Sequence, residues 1–134
     1  MDFQGFGEEL QSLPGVYGAQ GGALLLALHK DEPAGTIALR RLDQTSGEVK
    51  RLYLRPKYRG HGLGRRLLEA VIERADRLGY QCLYADTLPT MVEALSLYQR
   101  AGFERIKAYS ITPTPGAIYL RLKLVTSACQ RARF

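Results

Sequence analysis

Residues 48–64, EVKRLYLRPKYRGHGLG, separate two kinds of pattern in this 134-residue chain. The first seven, Glu48 to Leu54, read as a strand, and Pro56 ends it. Arg59-Gly60-His61-Gly62-Leu63-Gly64 is a glycine-rich turn. From Gly64 the apolar spacing becomes helical, with Leu67, Leu68, Val71, Ile72, Ala75 and Leu78 at i, i+3 and i+4 steps. Gly79 is a natural stop, because glycine takes the left-handed conformation past a helix end. Tyr80 to Asp86 then reads as a second strand. A strand, a helix and a strand in this order predict a right-handed parallel crossover.

Upstream of that stretch the elements are short and closely joined. Residues 3–14 are expected to form a helix around Phe6 and Leu10, stopped by Pro14-Gly15. Gly21-Gly22 opens a strand from Ala23 to His29, with a turn at Lys30-Asp31-Glu32-Pro33. Ala34 to Leu42 is the next strand, and Asp43 to Gly47 is a polar turn. With the strand at 48–54 these make an antiparallel meander. Downstream, Thr90-Met91-Val92-Glu93 has capping-box spacing with Thr90 as N-cap. The helix it starts, Met91 to Ala101, has an expected inner face of Met91, Ala94, Leu95 and Tyr98. Gly102 ends it. Phe103 to Tyr109 and Ala117 to Leu124 are the last strands, joined across the stiff Pro113-Thr114-Pro115-Gly116 loop. The expected class is α/β (α+β), a mixed sheet flanked by helices. One domain is expected over residues 1–134, with 125–134 as a tail.

Composition excludes several classes. The chain is 46% hydrophobic and 24% charged, ordinary for one globular domain. Its longest apolar run, Ala23 to Leu28, is six residues, whereas a membrane-spanning helix needs about 20. The acidic start MDFQGFGEEL lacks the pattern of a secretory signal. Two cysteines make no disulfide framework, and no Cys/His cluster has zinc spacing, so no metal is expected. A reducing cytoplasm fits these features best.

Lysine and arginine total 19 against 13 acids, a net charge of +6. Such a balance suits a nucleic acid, an anionic surface or a phosphorylated cofactor, or simply solubility. Position narrows the choice. Lys50, Arg51, Arg55, Lys57, Arg59, Arg65 and Arg66 crowd one stretch that holds no acid after Glu48.

That stretch contains the glycine turn. Without Cβ atoms the backbone can wrap closely round an anion, and the first free N–H groups of the helix point at it. Arg59 and Arg65 add formal charge suited to phosphate. The bland reading is a ligand-free connection, but three alternating glycines cost backbone entropy on folding. A Walker loop would end in Gly-Lys-Ser/Thr, whereas Gly64 precedes Arg65-Arg66. A dinucleotide fingerprint would read G-x-G-x-x-G, whereas these glycines run G-x-G-x-G.

The segment 48–64 resembles the acetyl-CoA motif of the GNAT N-acetyltransferase superfamily, a strand followed by (Arg/Gln)-x-x-Gly-x-(Gly/Ala). Arg59, Gly62 and Gly64 occupy those positions. Ala94 to Phe103, ALSLYQRAGF, is similar to the family's second hallmark, a helix ending in L-Y-x-x-x-G-F. The two motifs lie in family order, and the match runs over about residues 22–124. DTLPTM at 86–91 and PTPGAIYL at 113–120 look like those of small bacterial GNAT proteins.

The resemblance implies the GNAT acyl-CoA N-acyltransferase fold, acetyl-CoA as cosubstrate and direct transfer of acetyl to an amine. The amine could belong to a small molecule, a peptide N-terminus or a lysine. It also implies that the strand before the glycine turn splays from the next parallel strand and holds pantetheine. By position Leu52, Tyr53 and Leu54 would supply those contacts. Arg59, Gly60, His61, Gly62, Leu63, Gly64 and Arg65 would hold the pyrophosphate. Tyr98 matches the position of the acid that protonates the departing thiolate, against the plainer reading of a packed core tyrosine. Glu48 is the candidate base, against a solvated strand-end acid, and Asp86 is the second choice.

Two rivals remain at this level: a non-catalytic acyl-CoA-binding module, and a basic nucleic-acid-binding domain. The second lacks the interleaved aromatic platform of single-strand binders. The chain also departs from the family pattern. Thr87 stands where the family often has asparagine. Only about 21 residues precede Ala23, so the family's first strand and most of its first helix have little room. The strand at 23–29 is then expected to be an open edge, which predicts a homodimer through it or through the last strands.

Overall fold

The computed structural model describes residues 11–12, 21–108 and 115–124. Seven strands form one mixed sheet in the order β1-β2-β3-β4-β5-β7-β6. They are β1 (Gln11–Ser12), β2 (Ala23–His29), β3 (Glu32–Arg41), β4 (Ser46–Leu54), β5 (Cys82–Thr87), β6 (Glu104–Ile106) and β7 (Ile118–Lys123). Two helices, α1 (Leu63–Arg77) and α2 (Val92–Arg100), complete the described elements. The meander is β2-β3-β4, antiparallel throughout. Lys30 and Asp31 both have positive φ, 51° and 67°, as a two-residue turn with the twist of its strands requires.

β4 passes through a 3-10 turn at Pro56–Tyr58 into α1, which returns the chain to β5, parallel to β4. α1 buries Leu63, Leu67, Leu68, Val71 and Ala75. They join Ala23, Leu25, Ala27, Ile37, Leu39, Val49, Leu83 and Leu120 in one core on a single sheet face. Alternation does this: in β2, residues 23, 25 and 27 point inward while 24, 26 and 28 stay half-buried. Gly47 is a point of close approach, since a Cβ there would lie 2.8 Å from Leu39 and 3.0 Å from the Tyr80 ring.

Two features open the sheet. β4 pairs with β5 only at Ser46, Glu48 and the residue between, opposite Cys82, Leu83 and Tyr84. Beyond that point the two strands diverge. On its other side β4 carries a bulge, with Arg51 at φ 56° and its carbonyl accepting a hydrogen bond from Thr36 Oγ1 at 3.0 Å. An extra residue bends a strand and raises its twist, so β4 leans away from β5 at the splay.

Several expectations change. Gln11 and Ser12 pair with Leu26 and Leu25 as a strand, not a helix; the rest of the expected helix lies outside the described residues. β2 is therefore not the open edge there, and pairing with a second chain loses that premise. Thr90 does not cap α2; Met91 takes that position without a side-chain cap, and Met91 is half exposed rather than inward. β7 inserts between β5 and β6, so the last strand is interior and β6 forms the edge. Tyr109 and the loop start at Pro113-Thr114 lie outside the described residues, as does the tail.

Candidate active site

A cleft of about 800 Å³ runs from the splayed end of β4 to α2. Of the residues singled out in the sequence, Leu52, Tyr53, Leu54, Arg59, Gly62, Gly64 and Arg65 line it. Gly60 and His61 are exposed and stand off the lining. Leu63 is 1% exposed, so its side chain serves the core and only its backbone faces the turn. The opposite wall comes from α2 and the residues before it, chiefly Thr90, Met91, Val92, Ala94, Leu97 and Arg100. Sequence reasoning assigned this wall no ligand role, because its residues gain one only when α2 packs beside α1. Gly64 permits that approach: a Cβ there would sit 3.2 Å from Leu97 and 3.3 Å from Leu54.

The turn has the properties of an anion cradle. Gly60 and Gly62 sit at φ 80° and 83°, a region costly for side-chain-bearing residues. Gly62 caps α1 with no side-chain hydrogen bond, and the first turn holds no acid. The leading N–H groups of α1 thus face outward behind the positive end of the helix dipole. The first internal bond is Arg66 N–H to Gly62 O. Arg59 donates from Nε to Leu54 O at 2.9 Å and lies over the Tyr53 ring, which ties the turn to the end of β4. Arg65 pairs with Glu69, leaving its terminal nitrogens for a ligand.

Glu48 lies at the last β4–β5 pair, 3% exposed. Arg40 Nε contacts one of its oxygens at 2.7 Å, and Lys50 Nζ approaches the other at 3.5 Å. Lys50 also donates to Asp86 Oδ1 at 3.1 Å. Burial works against the Lys50 charge, but its bonds to Asp86 and Glu48 outweigh that and hold it above the ordinary lysine range. Only the register reveals this chain of charges: Arg40 faces Glu48 across β3–β4, although eight residues separate them.

Tyr98 is 4% exposed and packs against Phe103 with ring centres 5.2 Å apart. It does not join the cleft lining. Burial, and then the Asp86 carboxylate, push its hydroxyl well above the usual tyrosine range. Thr87 is buried on the core-facing side of β5, and its Oγ1 has no hydrogen-bond partner. Cys82 is half-buried and opens β5 rather than sitting mid-strand. Among the described residues no group of His, Cys, Asp and Glu could hold a metal, and no helix is long and apolar enough to cross a membrane.

Known proteins show the same build. Residues 3–103 match the model of the Acetyltransferase (GNAT) family. An uncharacterized N-acetyltransferase of Schizosaccharomyces pombe is 34% identical over 128 residues, covering 92% of this chain and 77% of that protein. An acetyltransferase from Streptococcus agalactiae superposes with a TM-score of 0.73 at 27% identity, covering 81% of this chain and 71% of that one. A GNAT family acetyltransferase from Elizabethkingia anophelis, solved with acetyl-CoA bound, gives 0.66 at 26% identity, covering 78% and 77%. A splayed parallel pair, an uncapped helix behind a glycine turn and these relatives converge: this chain belongs to the GNAT acetyltransferase family, the enzymes that draw acetyl from acetyl-CoA.

Proposed function

We propose that the chain transfers acetyl from acetyl-CoA directly to an amine, with no acetyl held on the protein. The observation that carries this reading is the cleft, which joins the cradle at Gly62 and Gly64 to the end of β4. Acetyl-CoA supplies the thioester. The α1 N–H groups with Arg59 and Arg65 hold the pyrophosphate; Gly60 and His61 frame the turn, and Leu63 lends its N–H. The unpaired edge of β4 at Leu52, Tyr53 and Leu54, together with the partnerless Thr87 hydroxyl, suits the amides of pantetheine.

The nitrogen of the acceptor must lose a proton before it attacks, since most amines are charged at pH 7. The sequence points to Glu48 as the base, but both its oxygens face cations. Asp86 engages Lys50 through Oδ1 alone and is 28% exposed. We assign proton acceptance to Asp86, and to Glu48 the placing of Lys50 beside it. As the new C–N bond forms and the C–S bond breaks, Tyr98 gives its proton to the sulfur. Asp86→Asn should then lower kcat by about 10²-fold or more, as loss of a positioned base does. Glu48→Gln should lower kcat by less than about 10-fold, since it removes only the placing of Lys50. The reverse pattern returns the base to Glu48.

Thermal shift separates this reading from its rivals. Acetyl-CoA at about 100 times its dissociation constant should stabilise by roughly 2.7 kcal/mol, with ATP and NAD giving no comparable shift. A shift followed by thiol release with an amine supports transfer; a shift without release from any amine supports the acyl-CoA-binding module. Salt-sensitive DNA or RNA binding without either supports the nucleic-acid reading. The reading goes with cytoplasmic residence, and any homodimer would form through the last strands at β6.

A further inference from the structure

On the sheet face away from α1, one row of side chains crosses five strands. The register sets Arg40, Glu48, Tyr84, Arg121 and Glu104 side by side. The row beyond it, on the splayed side, holds Lys50, Asp86 and Tyr119. Glu48 and Tyr119 are buried here, although neither belongs to the core on the other face.

On the β3–β5 side of this face the charges are matched. Arg40 and Glu48 pair, and Lys50 bridges Glu48 and Asp86. Among the described residues Arg121 makes no ion pair, even with its cross-strand neighbour Glu104. Its Nε is buried and has no hydrogen-bond partner. A buried donor left unmade is costly, more so on a charged group. Such a group persists where a ligand completes it.

Position says which ligand. Arg121 lies on the strand next to Asp86, diagonal to it, and diagonal neighbours sit about 7–8 Å apart. Asp86 keeps Oδ2 free of Lys50. One carboxylate and one guanidinium on diagonal positions of neighbouring strands match an ammonium and a carboxylate on one small molecule. A guanidinium fork binds a carboxylate through two parallel bonds. We propose that Arg121 binds the carboxylate of an amino-acid acceptor whose amine lies at Asp86. The proposal rests on the acetyltransferase reading and names its acceptor class. Polyamines and peptide N-termini lack a carboxylate at this spacing and fall outside it.

The test uses matched acceptors on the full chain: free amino acids, their methyl esters and the corresponding decarboxylated amines, each with acetyl-CoA and thiol detection. Wild type should favour the free acids over the esters and amines by about 10- to 100-fold in kcat/KM, the discrimination a charge-assisted pair supplies. Arg121→Gln should erase that preference through KM while leaving the acetyl-CoA thermal shift unchanged. Arg121→Lys should restore part of it. Equal or better use of esters, amines or peptides by wild type overturns the proposal, as does a preference that survives in Arg121→Gln. If Arg121→Gln fails to fold, the wild-type acid-against-ester ratio decides. A thermal shift with acetyl-CoA but no turnover of any acceptor also overturns it, while leaving cofactor binding intact. Absence of both shift and turnover overturns the acetyltransferase reading together with it.

Discussion

Gly62→Val is expected to abolish useful acetyl-CoA binding while leaving the chain folded. Gly62 sits at φ 83° as the N-cap of α1. That conformation costs a side-chain-bearing residue about 1–2 kcal/mol, and more with a β-branch. To escape the strain the turn must rotate, and the N–H groups that follow turn with it. Losing two charge-assisted hydrogen bonds, each worth about 1.5–3 kcal/mol, weakens binding by more than about 100-fold. The new side chain also enters space that is open, since a Cβ there meets nothing within 4 Å. Gly79 provides the control. It has φ 84° and equal room, but lies past the far end of α1. Gly79→Val should cost similar stability, read by Tm, with the acetyl-CoA dissociation constant unchanged. Equal loss of affinity in both variants would mean that folding, not the cradle, governs binding.

Tyr98→Phe should cut kcat by about 10²-fold, the low end of what positioned proton transfer contributes, and leave acetyl-CoA affinity nearly unaltered. The hydroxyl is lost, but the ring contact with Phe103 remains. Burial and Asp86 keep this hydroxyl protonated, so wild-type kcat should show no Tyr98 limb below about pH 10. Stability carries a second signature. Above about pH 10 the unfolded chain releases the tyrosine proton while the folded chain keeps it, so stability declines as pH rises. Tyr98→Phe should remove its share of that alkaline decline. Turnover equal to wild type would take Tyr98 out of the mechanism and leave it a core residue.

Residues 48–79 were legible for local reasons. A proline after an apolar run, glycines at alternate positions and a 3.6-residue stripe each act within a few residues. The strand–turn–helix unit and its glycine turn therefore followed from composition at fixed spacing. Strand bounds at 23–29 and the helix at 63–77 lie within a residue or so of expectation for the same reason. Thr90 failed as a cap because Met91 already occupies the cap position where the chain leaves β5. Gln11–Ser12 failed as helix because pairing with Leu25 and Leu26 outweighed local propensity.

The sequence by itself determined the glycine turn, the meander, the crossover and the family. Those depend on backbone conformation and on side-chain periods that neighbouring residues set. Tertiary structure alone decided where the charges stand. It gave Glu48 two cations, left Asp86 one free oxygen, walled the cleft with α2 and set Arg121 beside Asp86 without a partner. The physical reason is register: which side chains share one face of a sheet is fixed by pairings between distant strands, and a shift of one residue would turn every one of them to the other side.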